Sequence, residues 1–125
     1  MSDLLEQGTA WLDDQRHKHM TRTVVYERGS DSVELSATIG RTEFEQADEY
    51  GTVHRIEARD YLVRAEDLVL AGQQTLPQAG DRIREIDGAQ TFIYEVMAPG
   101  TEPPWRYSDA NRRTLRIHTK HVATE

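Results

Sequence analysis

The sequence predicts a mainly β domain: a small antiparallel β-barrel or sandwich preceded by one N-terminal α-helix. Three observations carry this prediction. Val33, Leu35, Ala37 and Ile39 alternate with polar residues, the period of a strand with one wet face. Asp87-Gly88 separates two β-rich runs, residues 82–86 and 91–96, and both residues tolerate the positive φ of a tight hairpin turn. Helical spacing occurs at the front, where Leu4, Leu5, Gly8, Trp11 and Leu12 fall on one narrow stripe.

The elements follow in order. Asp3 is placed as an N-cap with Glu6 three residues on, so a helix is predicted over residues 2–19, fading at His17-Lys18-His19. Its stripe suits docking on the rest of the fold or on a partner. From Thr21 the period becomes two. Thr23-Val24-Val25-Tyr26-Glu27 is rich in β-branched and aromatic residues, and Gly29-Ser30-Asp31 turns it into the strand of Val33–Ile39 as a hairpin. Residues 40–51 are the most polar part of the chain and are predicted as a long, mobile loop carrying Phe44 and Tyr50. Strand character returns over 52–63, and a shift in apolar parity predicts a bulge or bend near Arg59-Asp60. Ala65-Glu66-Asp67-Leu68 reads as one helical turn, followed by a connector ending in Pro77-Gln78-Ala79-Gly80. After the Asp87-Gly88 hairpin, Pro99-Gly100 and Pro103-Pro104 mark a loop, because proline cannot donate to a central ladder. The last strand spans 114–122, with Leu115, Ile117 and Thr119 on one face and Arg116, His118 and Lys120 on the other.

With 125 residues the chain is expected to form a single domain, its strands lying within 21–122. A domain this size buries a core without covalent staples. The sequence has no cysteine, which excludes disulfide frameworks, thiolate metal sites and cysteine nucleophiles. No apolar run is long enough to span a bilayer, and the acidic start Met1-Ser2-Asp3-Leu4-Leu5-Glu6 is unlike a signal peptide, so export by the usual route is not expected. The formal charge of −7 opposes general affinity for DNA or anionic membrane. The charge is unevenly spread. Between Pro104 and Val122 lie Arg106, Arg112, Arg113, Arg116 and Lys120 against Asp109, whereas Glu43, Glu45, Asp48 and Glu49 gather earlier. Ordinary solvated faces account for such runs as readily as a partnered surface does.

Catalytic groupings are not apparent. His17 and His19 are two apart on a predicted helix and diverge, and His118 and His121 are three apart on a predicted strand and point to opposite faces. Ser2, Ser30, Ser32, Ser36 and Ser108 lie outside any Gly-x-Ser-x-Gly turn. No glycine cluster opens a helix to cradle phosphate, and the carboxylate pairs Asp13-Asp14 and Asp48-Glu49 are adjacent, which turns them apart. An enzyme is not expected, nor a cofactor or resident metal. Trp11 is read as a core or docking residue of the helix. Trp105, between Pro104 and Arg106-Tyr107 on a predicted loop, has two readings: an exposed interface anchor, or a ring folded back over one end of a barrel.

One stretch carries a resemblance. Asp60-Tyr61-Leu62-Val63-Arg64-Ala65-Glu66-Asp67-Leu68 leads to Pro77 and Gly80-Asp81-Arg82-Ile83. Asp87-Gly88, Tyr94-Glu95-Val96, Trp105 and Arg113-Thr114-Leu115-Arg116-Ile117-His118-Thr119-Lys120 follow. This order resembles the small head–tail joining (neck) proteins of tailed phages and prophages over the C-terminal half to two-thirds of the chain. The resemblance implies a structural part that docks on the portal or connector ring, completes the head and receives the tail. It implies portal and tail proteins as partners, and a ring homo-oligomer formed on assembly. The protein would sit beside packaged DNA without sequence-specific binding or membrane contact. It would assemble in the host bacterial cytoplasm and reside in the virion neck. The expected interface comprises Trp11, Phe44, Tyr50 and Trp105 with Arg106, Arg112, Arg113, Arg116 and Lys120. Two alternatives stand beside it: a barrel binding a metal or small ligand through His54, His118 or His121, and a nucleic-acid-binding barrel using Arg112, Arg113, Arg116 and Lys120.

Overall fold

The computed structural model describes residues 21–125. The helix expected over 2–19, with Trp11, lies outside the described residues. Nine strands follow: β1 (Arg22–Arg28), β2 (Asp31–Ala47), β3 (Val53–Arg64), β4 (Val69–Leu70), β5 (Gln73–Gln74), β6 (Arg82–Asp87), β7 (Gln90–Val96), β8 (Trp105–Tyr107) and β9 (Thr114–Thr124). A single 3-10 turn, Ala65–Asp67, bears out the helical turn expected there.

The sheet runs β3-β2-β1-β6-β7-β9-β8, and β3 also pairs with β9. That extra pairing closes β1, β2, β3, β9, β7 and β6 into an antiparallel barrel, which resolves the barrel-or-sandwich alternative. Closure removes sheet edges that would otherwise template aggregation. On its other side β9 pairs first with β8 and then with β7, so these two lie in line along one edge. A register shift between Ile93 and Tyr94 lets β9 bend as it passes from β3 to β7.

Local chemistry explains the hairpins. Arg28 pairs with Asp31 across a two-residue loop, as the Gly29-Ser30-Asp31 signal predicted. Asp87 pairs with Gln90, so the second tight loop is Gly88-Ala89, one residue later than the dipeptide suggested. Gly88 takes φ 62°, which glycine adopts without a Cβ penalty.

The interior is filled by Val24, Tyr26, Leu35, Ala37, Tyr61, Val63, Ile83, Val96, Leu115 and Ile117, with Leu68 and Leu70 beneath. Each such side chain contributes about 1.5–3 kcal/mol by leaving water. Two sequence expectations are corrected here. Residues 40–47 are not loop but the outer half of β2, which pairs without a break from Ala37↔Val63 to Ala47↔Val53. Their polarity reflects a strand with one face exposed, Arg41, Glu43 and Glu45, and the other, Gly40, Thr42 and Phe44, only half-buried. Nor does the β2–β3 register shift near Arg59-Asp60. The parity change there arises because β3 is buried on both faces: Tyr61 and Val63 fill the barrel, while Ala58, Asp60 and Leu62 are buried on its outside.

Candidate functional site

Three surfaces can meet other molecules, and three buried carboxylates hold them in place. The first surface is an arm. β2 pairs β1 only as far as Ala37, and β3 pairs β9 only from Arg59 onward. Beyond those points each of the two strands pairs only with the other among the described residues. From the Arg41↔Arg59 pair to Ala47↔Val53 this ribbon runs about 20 Å at 3.4 Å per residue. Its tip is built around Asp48. The Asp48 carboxylate accepts from the backbone N–H of Tyr50 and Thr52, both at 2.9 Å, and lies 2.9 Å from His54 Nε2. The His54 hydrogen bond and those backbone donors hold the Asp48 carboxyl below the usual aspartate value. Tyr50 stands outward at 85% exposure.

The base of the arm is braced on the outside of the barrel. Asp60 is fully buried and accepts from Arg116 Nη1 at 2.6 Å, from the Thr42 hydroxyl, and pairs with His118 Nδ1 at 2.9 Å. Burial alone would raise the Asp60 pKa, but His118, Thr42 and Arg116 outweigh it and hold the carboxyl low. Phe44 meets the His118 ring edge-on, centroids 5.0 Å apart. The segment between Met97 and Pro104 leaves and rejoins β9 at His118, through Met97 N–H to His118 O (3.0 Å) and His118 N–H to Pro104 O (2.9 Å). Its turn, Pro99 to Glu102, faces Phe44 and Ile56 across a groove of ≈ 270 Å³. Gly40 allows this packing: a Cβ there would come within 3.1 Å of Leu62 and 3.2 Å of the Arg116 guanidinium.

Each barrel end has its own charged plug. At the arm end Glu85 accepts from Arg59 at 2.7 and 2.9 Å, from Tyr61 Oη at 3.1 Å and from Arg22 at 3.3 Å. The Arg59 guanidinium lies 4.9 Å from the centroid of Tyr94. Burial works against the Arg59 charge, but the hydrogen bond to Glu85 prevails and its pKa rises. At the opposite end Asp81 accepts from Arg28 Nη2 at 2.9 Å, from Gln78 N–H at 3.0 Å and from the Tyr26 hydroxyl. Burial and the Asp81 contact push the Tyr26 phenol well above its usual value.

The second surface is an aromatic and basic loop beside that opposite end. Trp105 is half-buried on β8, opposite Ile117, and packs against the core. It is therefore not on a loop, and its ring does fold back over the barrel. Tyr107 meets it edge-on at 5.0 Å, and the Arg112 guanidinium sits 5.8 Å from the Tyr107 centroid. Asp109 orders the turn by accepting from the N–H groups of Arg113 and Thr114, each at 3.0 Å. Arg106, Arg112 and Arg113 are exposed. The third surface is the outer end of β9, where Lys120 is exposed opposite Glu95.

The residues expected to form one interface are thus divided. Phe44 and Arg116 brace the arm from within, Tyr50 marks its tip, and Trp105, Arg106, Arg112 and Arg113 cluster at the far end. Arg116 is committed to Asp60, which removes it from a common basic patch with Arg112, Arg113 and Lys120. The histidine-site alternative also loses its geometry. His54 lies on the arm, six residues from Asp60 along β3, while His118 is buried against Asp60 and His121 packs on Tyr94 at 5.4 Å. Among the described residues no group of three or more His, Asp or Glu side chains is placed to hold a metal ion. The three buried carboxylates were not singled out in the sequence. Their signal was parity: Glu85 is in phase with Ile83, and Asp60 with Ala58 and Leu62.

A family model described as phage head–tail joining protein matches residues 2–125. The chain belongs to that family. No curated protein matches it. Head–tail joining proteins are structural components of phage particles, so this chain connects phage head and tail. For a head–tail joining protein the division of surfaces is the informative feature: a filled barrel carries an arm at one end and a cation–aromatic loop at the other. No helix among the described residues is long and apolar enough to cross a membrane.

Proposed function

We propose that this head–tail joining protein docks on the portal or connector ring of a filled head, completes the head and presents the surface to which the tail attaches. Copies order into a ring on that partner. Assembly takes place in the host cytoplasm, and the protein stays in the virion neck beside the DNA without reading its sequence. No catalysis is assigned to it. One observation carries the reading: the barrel interior is filled by side chains, while β2 and β3 continue outward as a two-stranded arm. A barrel packed in this way offers its outside to partners, and an isolated two-stranded ribbon gains stability by docking.

Electron microscopy of particles made without the protein tests the proposal. Filled heads lacking tails are expected. Normally tailed particles would reject it.

A further inference from the structure

We propose that, in the ring, the β2–β3 arm of one copy seats on the Trp105–Arg113 loop of the next copy. This rests on the ring reading above and names its contact surfaces. Glu43 and Glu57 are directly opposite each other across the ribbon, and like charges so placed destabilise a sheet. Arg41 reaches Glu57 at 3.5 Å and Arg55 stands opposite Glu45 across the ribbon, but neither Glu43, which faces Glu57, nor Glu49 has an ion-pair partner among the described residues. Over residues 41–57 the arm thus carries five carboxylates against Arg41 and Arg55, an acidic excess that an external cation would quiet, together with an exposed Tyr50 and a 59% exposed Val53.

At the other end of the barrel, the segment from β8 to Arg113 is basic. Asp109 spends its carboxylate on backbone donors, which leaves Arg106, Arg112 and Arg113 as exposed positive charge beside the Trp105–Tyr107 pair. Glu66 and Asp67, on the turn joined to Arg113 through the Ala65 N–H, bound this basic patch on one side. Arginine beside aromatic rings is the composition of an interface core.

Val53 begins β3 next to the arm tip, and Arg64 ends it opposite Thr114, next to the basic loop. These eleven steps set the two surfaces roughly 35 Å apart. An arm cannot reach its own loop across that distance, so any arm–loop contact joins different copies. A contact between two different patches is heterologous, and such contacts close into rings when the rotation permits.

Charge exchange and cross-linking test this in assembled particles. The double variant Arg112→Glu/Arg113→Glu is expected to lower the yield of tailed particles at least about tenfold, as is Glu43→Arg/Glu49→Arg. Both pairs combined in one chain should recover most of the yield. Independently, Glu49→Cys with Arg112→Cys in this otherwise cysteine-free chain, treated with a short bismaleimide, should give a ladder of covalent multimers. Circular dichroism of each purified variant checks folding; if a charge variant misfolds, the cross-linking decides. No multimer ladder, or a combined variant no better than either parent, would overturn the proposed contact. That result would leave the head–tail role intact, provided that particles without the protein still lack tails.

Discussion

Asp60, Asp81 and Glu85 show how single residues hold this barrel. Each is a buried carboxylate matched by an arginine and by hydroxyl or backbone donors. Such a pair adds modest net stability over an apolar substitute, because desolvation cancels much of the attraction. Breaking one is different, since the surviving charge is left without its partner. Asp60→Asn is expected to destabilise the protein by about 3 kcal/mol at neutral pH, measured by urea denaturation. The pH dependence follows from the lowered Asp60 value. Its contribution is fully present above the ordinary aspartate value of 3.8 and is lost as pH falls through the lower value of the folded state. The Asp60→Asn variant should therefore lose part of the acid-limb slope below that point. An unchanged slope would show that Asp60 does not carry it.

At the scale of elements, the arm and the barrel have separate sources of stability. Phe44, Thr42 and Gly40 tie the arm base to His118, Asp60 and Arg116, whereas residues 45–55 touch little beyond each other. Replacing residues 45–55 with Asn-Gly keeps the Phe44↔Ile56 pair and supplies a hairpin turn. Calorimetry of this variant should give a melting temperature within about 3 °C of the full chain, because few buried contacts are lost. Tailed particles should nevertheless disappear. A large drop in melting temperature would mean that the arm is part of the core rather than an appendage.

For the whole molecule, closure is the decisive event. β3 and β9 meet through pairs such as Tyr61↔Ile117, which bring distant parts of the chain together. The barrel thus unfolds as one unit, and its folding is slowed by the entropy of that long closure. Hydrogen exchange should reflect the division: the slowest amides in β1, residues 60–63 and residues 115–119, and the fastest in 45–55. Arm amides protected as strongly as those of β9 would contradict it.

Much of this architecture was legible in residues alone, because strand period and turn chemistry are local. The alternation of Val33, Leu35 and Ala37, the tight loops after Arg28 and Asp87, and the two faces of β9 all follow from neighbours in sequence. Other features depended on residues far apart. The polarity of 40–47 reads equally as loop or as a largely solvated strand, and only pairing with 53–60 decides between them. The inward turn of Glu85 and the burial of Asp60 required Arg59, Arg116 and His118 to arrive from other strands, since a carboxylate leaves water only when its partners are already in place. Sequence alone therefore determined most of the strand segments and the tight turns, but not the strand character of residues 40–47. The tertiary structure decided which edges meet, which charges are buried, and that the arm and the basic loop stand at opposite ends, because each depends on non-local pairing.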